Sequence, residues 1–321
     1  MVTEKYKVQK FEECYTNEWN NFLKKSKNAT FMHNTNYMHY HYDRFIDCSL
    51  MIIEDEEIVA LLPGNIDNSV FYSHKGLTYG GLLIKNNTKL TEVLDYFKVI
   101  NEYLFSKKNI LKVVYKAIPY IYNEIPSQED EYALFRLGAT KIACGASSTI
   151  VINNKIDMSS LRKRSIKKAQ RYPLEIYEDE KYEAFWRILN ENLESRYGTN
   201  SVHTLDEIAL LKTRFQNEIK LYTVFLAEEC VAGALIYIVG RVAHVQYIAS
   251  NEKGKKTSAL DYLFNYLIED VFFDMNYFDF GTSVEENGYK LNTGLVFQKE
   301  GFGARTTLYN QYEYNIEEVL K

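Results

Sequence analysis

The sequence predicts an α/β protein of two tandem units, each a mixed and mostly antiparallel sheet flanked by helices. The stretch from Leu221 to Gly281 reads in order as hairpin, strand, short loop, amphipathic helix and strand. A weaker version of the same order runs from Ser49 to Lys116. The length of 321 residues also exceeds the usual size of a single core, so we place domains at residues 1–150 and 151–321.

In the second half, Leu221–Ala227 and the run from Val231 to Val239 are rich in β-branched and aromatic residues and enclose an acidic turn, which predicts a hairpin. The next strand, Val242 to Ala249, follows the turn at Gly240. Simple alternation would place Val242, His244, Gln246 and Ile248 on one face of it and Ala243, Val245, Tyr247 and Ala249 on the other.

The segment from Ser250 to Ser258 is predicted to be a loop that leads into a helix with apolar residues at helical spacing from Leu260 to Val271. Gly254 and three lysines lie in this loop. A glycine and basic side chains before a helix N-terminus are suited to binding phosphate, although a capped, solvated connection explains the same residues. Tyr277 to Gly281 is the strand that follows.

The first half shows a comparable pattern. A hairpin with an acidic turn is followed by a strand, a helix and a further strand, at Ser49–Ile53, Ile58–Leu62, Val70–Ser73, Leu90–Phe105 and Leu111–Lys116. The Gly-rich segment Ser73–Gly81 separates this copy from the other. We interpret the chain as a duplicated α/β unit in which only one half need bind a cofactor.

Composition restricts the class of protein. A net charge of -5 and a pI near 5.8 argue against a dedicated nucleic-acid binder. The four cysteines are scattered and indicate neither a disulfide framework nor a zinc site. No apolar run is long enough to span a membrane and the N-terminus lacks a signal-peptide core, so a cytoplasmic location is expected.

Two stretches resemble known families. Asn251–Lys256 is similar to the coenzyme A loop of the GNAT superfamily of acyltransferases, although it matches only the central glycine. Met158–Arg171, with six basic residues before Pro173, is similar to the linker of Fem-type peptidoglycan aminoacyltransferases and the double-GNAT proteins related to them. The resemblance extends to Glu18-Trp19 and to the tail that ends at Gly303. The long helical hairpin of several tRNA-using Fem enzymes is absent from this sequence.

This resemblance implies two tandem GNAT-like domains and an N-acyltransferase that moves an acyl group from acyl-CoA, expected to be acetyl-CoA, to an amine. The second domain would hold the acyl-CoA. Backbone N–H groups near Tyr247–Ala249 would polarise the acyl carbonyl, and the turn after them would hold phosphates. The cofactor-binding residues that follow from this are Ile248, Ala249, Gly254, Lys255, Lys256, Thr257, Ser258 and Ala259.

Acyl transfer to an amine needs a base, a polarised carbonyl and a positioned acceptor, and no metal is obligatory. His74 lies in the Gly-rich segment, and Asp279 interrupts an apolar strand, where it would need a partner if buried. If Asp279 has a structural rather than a catalytic role, the expected partner is Arg305, through a salt bridge. The catalytic candidates are His74, Asp279, Tyr247 and Glu286, and His203 and Glu285 are further candidates for the base. Each can equally have a structural or solvated role.

Other polar residues could select the acceptor. Those proposed to bind it are Tyr37, His41, Tyr79, His203, Arg214, Gln246, Ser283 and Asn292. An anionic acceptor, such as a nucleotide-linked or lipid-linked sugar, would use arginines. His39 and His41 are two residues apart and no carboxylate or thiolate completes a recognisable site, so no metal is expected.

The leading interpretation is acyl transfer to an amine on an amino sugar or cell-envelope precursor. One alternative is an aminoacyl-tRNA-dependent, Fem-like transferase, in which the basic segment around Arg162 contacts tRNA phosphates. The other is a non-catalytic binding or scaffolding module, because the phosphate loop departs from the GNAT pattern.

Overall fold

The computed structural model describes residues 5–320, without the side chains of His41, Tyr42 and Tyr197. The strands are β1 (Lys7–Lys10), β2 (Ile46–Asp47), β3 (Leu50–Glu54), β4 (Glu57–Leu62), β5 (Asn65–Asp67), β6 (Val70–Tyr72), β7 (Leu83–Ile84), β8 (Lys112–Lys116), β9 (Thr140–Val151), β10 (Leu174–Glu178), β11 (Ile219–Leu226), β12 (Glu229–Val239), β13 (Val242–Ser250), β14 (Tyr277–Thr282), β15 (Val284–Glu285), β16 (Lys290–Leu291) and β17 (Arg305–Asn315). The α-helices are α1 (Thr16–Leu23), α2 (Thr35–Met38), α3 (Leu90–Lys108), α4 (Glu129–Arg136), α5 (Ser160–Ala169), α6 (Tyr182–Tyr197), α7 (Leu205–Arg214), α8 (Glu252–Thr257), α9 (Ala259–Tyr266), α10 (Thr293–Glu300) and α11 (Ile316–Val319).

The chain divides into two compact units. The N-terminal unit comprises Met1–Gly145, Glu285–Lys290 and Leu308–Lys321, and the C-terminal unit comprises Ala146–Val284 and Leu291–Thr307. The domain boundary predicted between residues 150 and 151 stays a prediction. None of the helices described between residues 5 and 320 has both the length and the apolar composition needed to cross a bilayer.

The N-terminal unit contains an antiparallel sheet in the order β1-β3-β4-β7 and a run of strands in the order β17-β8-β6-β5-β2. In the second of these, β6 pairs with β8 in parallel, from Val70 opposite Lys112 to Tyr72 opposite Val114. Helix α3 buries its apolar face in the same core as Leu50, Phe71 and Tyr115. This explains the helical spacing of apolar residues after Leu90.

The segment Ser73–Gly81 follows β6 and is fixed by Lys116 at the end of β8. The Lys116 backbone N–H donates to Ser73 Oγ at 2.7 Å. Its Nζ donates to the carbonyl oxygens of Leu77 at 2.8 Å and Lys75 at 3.1 Å. Burial lowers the pKa of Lys116 to about 8. Hydrogen bonds to Lys116 therefore hold the Gly-rich segment against the end of β8.

The C-terminal unit has strands in the order β10-β11-β12-β13-β14-β9, antiparallel except for the parallel pair β13 and β14. The predicted mixed and mostly antiparallel sheet is confirmed. Helix α9 covers one face, where Phe264 packs edge-on against Phe278 and Phe280 at ring distances of 6.1 and 5.0 Å. These apolar contacts form the core of the unit.

The hairpin β11–β12 and the strands β13 and β14 lie where the sequence predicts them, and the basic linker forms helix α5. The segment predicted as a loop from Ser250 to Ser258 is instead largely helix α8. Asn251 caps this helix, its Oδ1 accepting from the Gly254 N–H at 2.9 Å. Ser258, with φ of 59°, ends α8 and separates it from α9. An asparagine cap thus supplies the start signal that the loop prediction overlooked.

Gly254 is the point at which α8 touches the sheet. A Cβ built on it would lie 2.1 Å from the carbonyl oxygen of Val231 and 2.3 Å from Ser250 Oγ. The carbonyl belongs to the backbone of β12 and cannot move aside without disturbing the sheet. Close helix–sheet packing therefore accounts for the glycine.

We predict that Gly254→Ala lowers the free energy of unfolding by about 1–3 kcal/mol, the usual effect of overpacking. The matched control is Gly294→Ala, in the first turn of α10, where the nearest neighbour of an added Cβ is 3.6 Å away. That change should be neutral or slightly stabilising. Urea unfolding of the two variants measures both values, and equal stabilities would contradict the packing role of Gly254.

Candidate active site

The parallel strands β13 and β14 pair only at their first residues and then separate. Their register runs from Val242 opposite Tyr277 to His244 opposite Asp279, although β13 continues to Ser250. Gly281 bends β14 just beyond this point with φ of +74°, a conformation that favours glycine. We call the place where the strands separate, at His244 and Asp279, the fork. Backbone groups of β13 beyond the fork are left without β14 as a ladder partner.

A β-bulge in β13 changes which side chains share a face. Leu235 of β12 lies opposite Tyr247, whereas the next residue, Ile236, lies opposite Val245, so Gln246 is the extra residue. Because directly opposed residues share a face, the bulge brings Tyr247 to the same face as His244. The simple alternation expected from the sequence, which put these two residues on opposite faces, is wrong for this reason.

Asp279 is fully buried at the fork and has hydrogen-bond partners on both neighbouring strands. Its Oδ2 lies 2.8 Å from His244 Nδ1. Its Oδ1 accepts from Ser147 Oγ at 2.5 Å and from Thr149 Oγ1 at 2.9 Å. The expected need for a partner is met by His244 and two hydroxyls rather than by Arg305, which donates to the carbonyl of Ala304.

Lys299 of α10 is a buried cation beside the fork that sequence reasoning missed. Its Nζ donates to the Gly281 carbonyl at 2.8 Å, the Thr282 carbonyl at 3.1 Å and Ser283 Oγ at 2.8 Å. Burial lowers the pKa of Lys299 to about 8, an effect that the charge of Asp279 opposes. Lys299 fixes the end of β14 immediately after the bend.

Sequence reasoning also missed His244, Ser147 and Thr149. The available signal was the pair of polar residues His244 and Asp279, each interrupting an apolar strand. Their pairing depends on the parallel register of β13 and β14, which a sequence does not show.

Tyr247 and His203 contact each other directly. His203 Nδ1 lies 2.6 Å from the Tyr247 hydroxyl, and the Trp186 ring packs edge-on against Tyr247 at 5.6 Å. Burial raises the pKa of Tyr247 to about 12. The tyrosine therefore stays protonated at neutral pH and can act as a hydrogen-bond donor.

The predicted phosphate-binding residues fall into two groups. Gly254, Thr257 and Ala259 are buried, and the Gly254 N–H is already used by the Asn251 cap. Lys255 and Lys256 are exposed, and Lys255 forms an ion pair with Glu252 at 2.5 Å. Ile248 and Ala249 continue β13 beyond the bulge, and Ser258 is the left-handed residue between α8 and α9. Any contact with phosphate would thus use the lysines and the exposed start of α8.

The remaining candidates of the C-terminal unit surround the end of β14. Ser283 is buried and accepts from Lys299, and the Asn292 backbone N–H donates to the Ser283 carbonyl at 2.9 Å. The Asn292 side chain caps α10, accepting from the Leu295 N–H. Gln246 occupies the bulge, and Arg214 lies exposed at the end of α7.

The other candidates belong to the N-terminal unit. His74 is buried with φ of 64°, and its ring lies 6.3 Å from that of Phe45. Tyr37 and Tyr79 are buried among aromatic rings, Tyr79 at 4.8 Å from Tyr122. Glu286 is exposed, 3.9 Å from Lys290 Nζ. The side chain of His41 lies outside the described residues. The roles of all these residues stay predictions.

The fork combines the groups that acyl transfer to an amine requires. A histidine held by a buried carboxylate can accept a proton, and strand backbone beyond the fork can donate hydrogen bonds to a carbonyl oxygen. Among the side chains that the structure describes, no group of three or more His, Cys, Asp or Glu residues could hold a metal ion.

Comparison with known proteins agrees with this geometry. The family model described as an acetyltransferase (GNAT) domain matches residues 159–291. The crystal structure of FemX is similar over 98% of this chain and 98% of its own, with a TM-score of 0.66 and 10% identity. L-PGS from Bacillus licheniformis is similar over 92% of this chain and 90% of its own, with a TM-score of 0.59 and 12% identity.

A tandem GNAT protein from the clavulanic acid biosynthesis pathway covers 97% of this chain and 99% of its own, with a TM-score of 0.55 and 8% identity. No curated protein sequence matches the chain. Identities this low establish a shared fold, whereas the family match includes both His244 and Asp279. Residues 159–291 therefore match an acetyltransferase domain of the GNAT family, and the chain as a whole shares the fold of FemX and of a tandem GNAT protein.

Proposed function

We propose that the C-terminal unit transfers an acyl group from acyl-CoA to an amine at the fork between β13 and β14. The observation that carries this proposal is the His244–Asp279 contact at the last paired position of the two strands. It sets a proton acceptor next to strand backbone that has no ladder partner in β14. The GNAT match over the same residues supports acyl transfer from a thioester.

In the proposed reaction, the neutral amine nitrogen of the acceptor attacks the thioester carbonyl carbon. A C–N bond forms, the C–S bond breaks, and the His244–Asp279 pair takes the proton that the nitrogen loses. The proton then passes to the leaving thiolate. Asp279 stabilises the positive charge that develops on His244, because its own carboxylate is held by Ser147 and Thr149. In the alternative route for this proton, the Tyr247 hydroxyl protonates the leaving sulfur and regains its proton from the His244–Asp279 pair.

The donor is proposed from partial agreement with a coenzyme A site. Helix α8 begins directly after β13, and Lys255 and Lys256 add positive charge on its exposed side. Lys256 occupies the position where the GNAT loop has glycine or alanine. Phosphate contacts would therefore come from lysine side chains in addition to backbone N–H groups.

The acceptor is proposed to be an amine on an amino sugar or cell-envelope precursor. Asn292 and Gln246 lie near the end of β14 and at the bulge, where their side-chain amides could hydrogen-bond hydroxyl groups of a sugar, whereas Ser283 is buried and would act only through Lys299. We propose a cytoplasmic location, because all four cysteines are free thiols, the state that a reducing compartment maintains.

The donor proposal predicts that acetyl-CoA or a longer acyl-CoA raises the melting temperature, since a ligand at about 100 times its Kd stabilises a protein by roughly 2.7 kcal/mol. Lys255→Glu with Lys256→Glu should weaken binding about tenfold or more, because charge-assisted contacts contribute roughly 1.5–3 kcal/mol each. Lys98→Glu with Lys107→Glu, both exposed in α3, makes the same charge change as a control. Gly254 variants are unsuitable because they disturb helix packing.

No thermal shift with any acyl-CoA would refute the donor proposal. A shift with uncharged or aminoacylated tRNA in its place would favour the aminoacyl-tRNA alternative, which the FemX-like fold keeps open. If neither ligand binds, a binding or scaffolding role would remain.

The His244–Asp279 pair makes a separate prediction about chemistry. His244→Gln should lower kcat for acetyl transfer to an amine about 10²–10⁴-fold, the usual contribution of a general base, with donor binding unchanged. Asp279→Asn should also lower kcat, while its amide oxygen can still accept from Ser147 and Thr149. Release of free thiol from acetyl-CoA in the presence of a panel of amines measures the rate, and a thermal melt checks folding.

His203→Gln is the competing variant, because His203 is the other histidine of the unit in contact with a candidate catalytic residue. It should change the rate less than His244→Gln does. If His203→Gln abolishes transfer and His244→Gln leaves kcat intact, the base is assigned to the wrong histidine.

A further inference from the structure

Helix α5 carries a basic surface that acyl transfer at the fork does not use. Residues 158–171 contain six basic and no acidic side chains in a chain whose net charge is -5. Arg162 is paired with Asp261 at 2.5 Å, and Lys163 lies 3.7 Å from Asp157. Within residues 5–320, no described ion pair involves the other four, which are Arg164, Lys167, Lys168 and Arg171.

The positive charges form a continuous arc on the exposed side of the helix. Ile166 and Ala169 are buried and face the core with Arg162. At about 100° per residue, Lys163, Arg164, Lys167 and Lys168 follow one another around the opposite side of the helix, and Arg171 lies in the turn directly after it. We call this arc the basic face; it consists of Lys163, Arg164, Lys167, Lys168 and Arg171.

Apolar groups border the basic face on both sides. One border is a cleft of about 500 Å³ next to Lys163 and Lys167 whose apolar lining is Ile156, Met158, Ile166 and Phe302. The cleft also contains the carboxylates of Asp157 and Glu269, which are paired with Lys163 and Lys155. Ile156, which is 46% exposed, lies at its rim. The other border consists of Leu161 and Tyr172, which are 38% and 40% exposed.

Basic and apolar groups in this arrangement match the surface of an anionic lipid bilayer. Lysine and arginine bind headgroup phosphates, while aliphatic and aromatic side chains enter the interfacial layer. A nucleic-acid backbone would satisfy the charges but would leave the aliphatic borders exposed to water. The apolar borders therefore favour the bilayer over an RNA partner.

We propose that the basic face docks the C-terminal unit on a membrane rich in anionic lipid. Arg164, Lys168 and Arg171 contact the headgroups, and Leu161 and Tyr172 enter the interface. Binding is peripheral and reversible, because it depends on a small number of charges whose attraction is screened within a Debye length of about 10 Å at 0.1 M salt. This proposal is independent of the identity of the acyl donor.

The test is flotation of the full chain with vesicles of phosphatidylcholine alone or mixed with phosphatidylglycerol. The protein should float only with the phosphatidylglycerol vesicles, and less as salt is raised. Arg164→Glu with Lys168→Glu and Arg171→Glu should reduce binding on the order of a hundredfold, given the loss of three attractive charges. Leu161→Ser with Tyr172→Ser should weaken binding at a salt concentration where the wild type still floats.

Lys25→Glu with Lys98→Glu and Lys107→Glu makes the same charge change on exposed lysines elsewhere and should leave flotation intact. If thermal unfolding shows that the charge-reversed variant of Arg164, Lys168 and Arg171 is not folded, glutamine substitutions at the same three positions are used instead. Absence of flotation by the wild type at low salt overturns the proposal. So does equal loss in the control, or a gel shift with tRNA that depends on the basic face when vesicles do not bind.

Discussion

The C-terminal unit depends on how the buried carboxylate of Asp279 is satisfied. A charge with no exposure to water would be strongly destabilising without partners, and this one contacts Ser147, Thr149 and His244, on strands to either side. Ser147 and Thr149 on β9 and His244 on β13 must all be in register with it. The register that satisfies the charge is also the one that places the histidine where the parallel strands part. One electrostatic constraint thus links the pairing of β9, β13 and β14 to the position of the candidate base.

The strand and helix pattern of the C-terminal unit was predictable because its apolar periodicities are strong. The hairpin, β13 and β14 all lie where composition and turns put them. The geometry of the site was less predictable. The extra residue Gln246 places the Tyr247 side chain on the opposite face of the sheet from the one expected. An alternating sequence of apolar and polar residues does not indicate where such a bulge occurs. The partner of Asp279 likewise depends on a contact across 35 positions of sequence. Helix α8 was missed because its asparagine cap was read as part of a loop.

The two units differ where a comparable parallel strand pair occurs. In the C-terminal unit, β13 runs on to Ser250 and leads directly into α8. In the N-terminal unit, β6 ends at Tyr72 and the chain turns at His74. The segment that follows is held in place by hydrogen bonds from Lys116. A long open strand beside the point of separation is thus a property of the C-terminal unit. This difference gives a physical reason for assigning acyl transfer to one copy of the duplicated fold.

The left-handed residue Ser258 has a consequence for local stability. It splits what could have been one continuous helix into α8, of six residues, and α9, which is part of the core. Helix α8 is about one and a half turns long and has its own asparagine cap. It can unfold locally without disturbing α9, because the helical conformation is already interrupted at Ser258. The amide protons of α8 should therefore exchange with solvent through local opening, while those of α9 exchange only when the unit unfolds.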